Sequence, residues 1–207
     1  MAKKQAVAQS PEDLKSIIEK LGLDKSFKNS HHVICGVDPS LQKTGVIILN
    51  SKGEIIHEAL VKPKKLKGIA RLVFIRDEVL SILKKFGVTV VAIEGYSFGS
   101  RGRATFSLGE LGGVLRVGLL DNKYDFFDVS PSSLKSFVAE NGAADKVMMR
   151  AAVKNKYKLD IREDNICDAF GLARMCLVLG ESMPKFCAKG GSQVMKKIRE
   201  KHQISLY

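Results

Sequence analysis

VICGVDPSLQKTGVIILN, residues 33–50, is two apolar runs on either side of an acidic turn. The first run, 33–37, closes on Asp38, and the second occupies 44–50. Asn50-Ser51-Lys52-Gly53 then turns the chain into a third extended run at 54–61, a hairpin signal. Three strands joined this tightly start a sheet in antiparallel fashion. The next apolar run decides how the sheet grows.

VTVVAIEGYSFGS, residues 88–100, is apolar from 88 to 93 apart from Thr89 and closes on Glu94. A run of this length predicts a strand buried on both faces, which needs helices above and below it. A helix is predicted near 68–86 before it and another near 105–120 after it. A fifth strand is predicted at 124–129. Ser130-Pro131 pairs an N-cap with a proline at the first helical position and opens a helix over 131–140. Asn141-Gly142 breaks that helix, and others come after it near 144–157 and 164–179. The order βββαβαβααα predicts an α/β fold with a mixed five-stranded sheet and helices on both faces. The core domain is set at 33–180. Residues 1–32 form an N-terminal helical extension and linker, with a helix from about residue 11 to Leu21 or Leu23. Residues 181–207 form a basic C-terminal tail, with a short helix near 192–201.

The chemistry lies where the strands end. A carboxylate closing a buried strand is unfavourable unless it is paired or holds a cation. Asp38 and Glu94 both do so, and functional sites of α/β sheets collect at such strand ends. In REDNICDAFGLARMCLVLG, residues 162–180, Asp164 and Asp168 are four apart at the start of an apolar helix and share a face. Carboxylates meeting at one point would form an oxygen-donor site for Mg²⁺ or Mn²⁺. Each has an ordinary alternative: Asp38 as a turn residue before proline, Asp164 as a helix cap. Their joint placement at one sheet edge is harder to explain that way.

Composition narrows the substrate. The chain has 207 residues, 34 basic against 22 acidic, and a net charge of +12, which points to a polyanion. No apolar stretch approaches the roughly 18 residues of a membrane span. The N-terminus has no apolar secretory core, so a cytoplasmic location is expected. Cys35, Cys167 and Cys176 sit among apolar residues, and with Cys187 they match no zinc or CxxC spacing, which predicts buried reduced thiols.

Four blocks, GVDPSLQKTG, AIEGYSFG, SPSSLKSFVAENGAADKVMM and DNICDAFGLA, in that order, resemble the RuvC family of Holliday-junction resolvases within the ribonuclease H-like superfamily. The resemblance covers residues 33–180 and is weaker between the blocks. The terminal extensions would suit a phage or plasmid version as well as a bacterial one. The resemblance implies a ribonuclease H-like fold and a homodimer. It also implies a Mg²⁺- or Mn²⁺-dependent endonuclease that makes paired nicks in four-way DNA junctions. By the same resemblance Asp38, Glu94 and Asp168 are catalytic, metal-binding carboxylates. Lys135 and Lys146 fall where the family has basic residues near the scissile phosphate, a place where a lysine can neutralise developing charge. The family commonly has an acid or histidine three residues before its last aspartate, and here that residue is Asn165. Asp164, one residue earlier, is assigned to that catalytic and metal-binding role, with Asn165 as a neutral oxygen ligand the alternative.

Tyr96 and Phe98, followed by Arg101 and Arg103, interleave aromatics with arginines beside the expected site, a pattern suited to stacking on unpaired bases and holding phosphates. Phe98 is the first choice at the junction centre, with one of the two aromatics packing internally as the alternative. The helix near 105–120, rich in glycine and leucine, could line a dimer seam or simply pack tightly on the sheet. Three other functions compete. One is a junction-binding protein whose metal site is defective. Another is a ribonuclease H acting on RNA–DNA hybrids. The third is an actin-like ATPase or sugar kinase suggested by Asp38-Pro-Ser and Thr44-Gly45, for which no second phosphate loop is found.

Overall fold

The computed structural model describes residues 32–96 and 103–179. Five strands, β1 (Ile34–Asp38), β2 (Thr44–Leu49), β3 (Ile55–Val61), β4 (Val90–Glu94) and β5 (Asp125–Val129), form one sheet in the order β3-β2-β1-β4-β5. β1, β2 and β3 are antiparallel neighbours, while β4 runs parallel to β1 and β5 parallel to β4. Helices α1 (Gly68–Lys85) and α2 (Arg103–Asp121) lie in the crossovers. Helices α3 (Pro131–Ala139), α4 (Lys146–Tyr157) and α5 (Asp164–Leu179) come after β5. This is the mixed five-stranded sheet with helices on both faces that the strand and helix order predicts. The helices predicted near residues 11–23 and 192–201 lie outside the described residues.

Two cores sandwich the sheet, and alternation along each strand divides it between them. On one face Ile34, Ile47, Leu49, Val90, Ala92 and Phe127 pack under α3, α4 and α5. On the other, Cys35, Val37, Val46, Ile48, Val91 and Ile93 pack under α1 and α2. The alternation carries a consequence for the acids. Asp38 lies two and four residues beyond Gly36 and Ile34, and Glu94 two and four beyond Ala92 and Val90. Both therefore belong to the α5 face.

Close approach of α5 brings its first turns to those acids. A Cβ on Gly36 would lie 2.0 Å from the Ala169 carbonyl oxygen, and one on Gly45 2.1 Å from that of Asn165. Only glycine admits the helix backbone at these two points. Gly45 is the register partner of Asp38, so the start of α5 lies directly over the end of β1.

Helix ends explain small departures from the expected boundaries. Asp145 accepts from the Met148 N–H at 2.8 Å and caps α4, so that helix starts at Lys146 rather than 144. Ser130 accepts from the Ser133 N–H at 3.1 Å and Pro131 fills the first position of α3, as predicted. That helix stops at Ala139 because Glu140 takes a left-handed conformation, φ 57°. Cys35, Cys167 and Cys176 are buried free thiols. Among the described residues no helix is long and apolar enough to cross a membrane.

Candidate active site

The Asp38-Pro39-Ser40 turn does not use the Asp38 side chain. Thr44, wholly buried, donates its hydroxyl to the Ser40 carbonyl at 2.8 Å and accepts from the Ser40 N–H at 3.0 Å. Ser40 in turn accepts from the Lys43 N–H at 3.3 Å. With the loop closed by these hydroxyls, the Asp38 carboxyl is left to the sheet edge. It stays buried there, 6% exposed.

Val37 opposite Ile93 is the last pair between β1 and β4, so Asp38 and Glu94 come next, side by side. Their side chains come within hydrogen-bonding reach of each other and perturb one another. Burial first, and then the charges of Glu94 and Asp168, hold Asp38 well above the usual carboxylate range. Burial raises Glu94 too. Its bond to Asp38 opposes this, the Asp168 charge adds to it, and the charge of Lys135 opposes it again. Asp168, one turn into α5, is pushed up to about 6 by burial and then by the Asp164 charge, against the pull of Lys146 and Lys135. Three carboxylates from three elements thus repel one another in a poorly hydrated place.

Asn165 and Asp164 divide between two neighbours. The Asn165 amide donates to Asp38 Oδ2 at 2.8 Å, a bond that favours the charged form of Asp38. Asp164 instead pairs with Lys146 at 3.0 Å and accepts a hydrogen bond from Arg150. Burial alone would raise Asp164, but these two cations hold its carboxyl below the ordinary value. Of the two residues considered for the place three before Asp168, Asn165 is the one that meets Asp38.

Residues 34–176 match the family described as crossover junction endodeoxyribonuclease RuvC, over more than half of the chain. The chain belongs to this family. A RuvC of Caldicellulosiruptor saccharolyticus is 28% identical over 156 residues, covering 72% of this chain and 93% of that protein. One from Treponema denticola is 29% identical over 163 residues, covering 75% and 91%. The structure of Thermus thermophilus RuvC superposes with a TM-score of 0.61 at 22% identity, over 71% of this chain and 94% of that one. At that identity the likeness speaks for the fold.

Within the RuvC framework the two lysines sit differently. Lys135, half-buried on α3, acts on Glu94 and Asp168 through its charge. Lys146, at the first position of α4, is largely exposed and anchored on Asp164. Arg150, one turn further along α4, escapes sequence reasoning, although its spacing of four from Lys146 puts both on one face. Tyr96 stacks on the Arg116 guanidinium, 4.5 Å from ring to Cζ, and stays exposed to solvent on its other side. Phe98 and Arg101 lie outside the described residues. Arg103 opens α2, and its side chain lies outside them as well.

The donor set is all hard oxygen, which suits a divalent cation of the Mg²⁺ or Mn²⁺ class. The mutual repulsion of Asp38, Glu94 and Asp168, with Lys146 already engaged by Asp164, leaves negative charge that a cation would neutralise. Among the described residues no three His, Cys, Asp or Glu side chains close into a ready-made cage. The match is therefore one of donor chemistry, with the Asp38 and Glu94 carboxyls turned to each other.

Proposed function

We propose that this RuvC-family chain is a structure-selective endodeoxyribonuclease that cuts four-way DNA junctions by paired nicks. The observation that carries this is the meeting of Asp38, Glu94 and Asp168 at one edge of a RuvC sheet. A second Thermus thermophilus RuvC structure, a complex with a Holliday junction substrate, has a TM-score of 0.60 at 22% identity over 72% of this chain and 92% of that one. The net charge of +12 supports DNA as the partner.

The family consists of metal-dependent nucleases. In this reading Asp38, Glu94 and Asp168 would hold Mg²⁺ or Mn²⁺, with the Asn165 carbonyl oxygen as a neutral donor in place of an acid. A bound divalent cation supplies a lowered water pKa and charge stabilisation for an in-line displacement at phosphorus. The chain's own residues do the rest. Asp38 and Glu94, both raised in the metal-free chain, would face a cation held there as carboxylates. Lys135, aimed at the cluster by α3, offsets charge that builds on the phosphate. Lys146, presented at the open side on its Asp164 anchor, takes a backbone phosphate of the same strand. Water adds across one P–O bond of each of two strands, and the backbone is cut.

Two nicks require two sites, and a homodimer provides them. α2 buries Leu111, Leu115 and Leu119 but exposes Phe106 (78%) and Val117 (57%) on its opposite side, apolar residues suited to contact with a second copy. Gly118 serves the other face, where it packs on Arg76 and Leu80 of α1. The same reading puts the work in the cytoplasm.

The test is cleavage of a labelled synthetic four-way junction in Mg²⁺ or Mn²⁺, beside a linear duplex and an RNA–DNA hybrid. Symmetric nicks in the junction, lost in Asp38→Asn while binding persists, are the expected outcome. Binding without cleavage in either metal would favour a junction-binding protein weakened by Asn165. Cleavage of the hybrid alone would favour a ribonuclease H.

A further inference from the structure

The residue that fixes the backbone of Glu94 comes from the opposite face of the sheet. Arg116 sits on α2, whose core residues Leu111, Leu115 and Leu119 belong to the second core, away from α5. Its side chain is only 13% exposed. Nε donates to Asp128 Oδ1 at 2.8 Å, and Nη2 bonds the same oxygen. Nη1 donates to the Gly112 carbonyl at 2.8 Å, one turn back on α2. Nη2 also donates to the main-chain carbonyl of Glu94 at 3.1 Å. The Tyr96 ring stacks on the same guanidinium. One side chain thereby ties α2 and β5 to the final residue of β4 and to the residue two beyond it.

An independent feature shows that the arrangement is built in. A Cβ on Gly112 would lie 2.7 Å from Arg116 Nη1 and 2.8 Å from Tyr96 Cε1. Glycine at 112 makes the slot in which the guanidinium and the ring stack. A planar fork with five donors can reach three acceptors and a ring face together, which a lysine ammonium cannot.

We infer that Arg116 is a positioning residue for Glu94: held by Asp128 and Gly112, it pins the Glu94 carbonyl and Tyr96 from behind the sheet. It thereby sets where the Glu94 carboxylate stands at the metal-binding edge. This rests on Glu94 being a metal ligand. Arg116 acts from behind, because the Glu94 side chain leaves on the α5 face.

The test compares Arg116→Lys, Asp128→Asn and Glu94→Gln with the full-length wild type. Mn²⁺ binding without DNA is read from the electron paramagnetic resonance of free Mn²⁺. Junction affinity is measured in EDTA, and cleavage of bound junction under single turnover. Arg116→Lys is expected to weaken Mn²⁺ binding and slow cleavage by about tenfold or more, as loss of a group that orients a ligand does, with junction affinity within about twofold. Excess Mn²⁺ should restore part of the rate. Asp128→Asn, on an exposed carboxylate, should shift both in the same direction by about threefold. It decides alone should Arg116→Lys fail to fold. Mn²⁺ binding and cleavage unchanged in both variants, or a loss of junction affinity in place of a metal defect, would overturn the inference. Glu94→Gln binding Mn²⁺ and cleaving as the wild type does would instead remove the assignment of Glu94 on which it rests.

Discussion

The side-chain amide of Asn165 donates to Asp38 Oδ2 at 2.8 Å, across 127 residues of chain, and is the one neutral group bonded to the acidic cluster among the described residues. An acid at this position would meet Asp38 as a like charge. Asparagine relieves the cluster when no cation is present and offers fewer charges when one is. If these carboxylates hold a cation as proposed, stability without metal should come with weaker cation affinity.

Asn165→Asp tests this balance. The substitution removes a hydrogen bond to a carboxylate, worth roughly 1.5–3 kcal/mol, and adds repulsion. In EDTA its melting temperature should fall by several degrees, about 2–4 °C per kcal/mol for a chain of this size. Saturating Mg²⁺ should raise it by more than it raises the wild type. Thermal melts with and without the ion measure both, and equal EDTA melting temperatures would remove the role given to Asn165.

Asp164 and Asp168, four residues apart, are expected to respond differently. Asp168 belongs to the repelling cluster, whereas Asp164 is neutralised by Lys146 and Arg150. Asp168→Asn should lower single-turnover cleavage by about 10²–10³-fold, the scale of losing an essential electrostatic group. Asp164→Asn should leave Mg²⁺ dependence near that of the wild type and slow cleavage by about tenfold or less, through loosening of Lys146. A metal titration of cleavage by the two variants distinguishes them. An equal loss of metal affinity in both would return Asp164 to the ligand role that the sequence suggests for it.

The pH dependence comes from raised carboxyls. Asp168 titrates at about 6 in the folded chain, above its ordinary value of 3.8, so the folded state holds this proton more tightly than the unfolded one. Its contribution to stability is fully present below about pH 4 and is lost as pH rises through 6. Metal-free protein should therefore melt higher at pH 5 than at pH 7.5, with Asp168→Asn flattening part of the difference. Cation binding runs the other way and should strengthen across the same interval, because protons compete with the metal for the carboxylates. Melts in EDTA and Mn²⁺ titrations at both pH values give the two signs.

All five strands were legible in the sequence because runs such as 90–93 are apolar and buried on both faces, and because Asn50 to Gly53 leaves one way to turn. Asp38 and Glu94 were legible because an acid closing a buried strand is rare. The split between Asp164 and Asn165 was not. Neighbours on a helix diverge by about 100°, and which one meets Asp38 depends on the rotation of α5, fixed by glycines 36 and 45 through tertiary contact. Arg116 was equally hidden: a single arginine between Leu115 and Val117 looks like a solvated charge until Asp128, Gly112 and Glu94 converge on it.

Gly36→Ala ties the fold to the site most directly. Its Cβ would fall 2.0 Å from the Ala169 carbonyl oxygen and 2.7 Å from the Ala173 N. Both are backbone atoms of α5, so no side chain can yield and the helix must lift from β1. Overpacking of this kind is destabilising by about 1–3 kcal/mol, and more where the obstacle is backbone. Because Ala169 is next to Asp168, the displacement also carries Asp168 and Asn165 away from Asp38. Urea unfolding should report the loss of stability. Mn²⁺ binding at 10 °C, where the variant is still folded, should fall along with it, while α2 and its Arg116 contacts, on the other face, stay in place. A folded Gly36→Ala protein with undiminished Mn²⁺ affinity would show that α5 does not need to touch β1 for the carboxylates to act together.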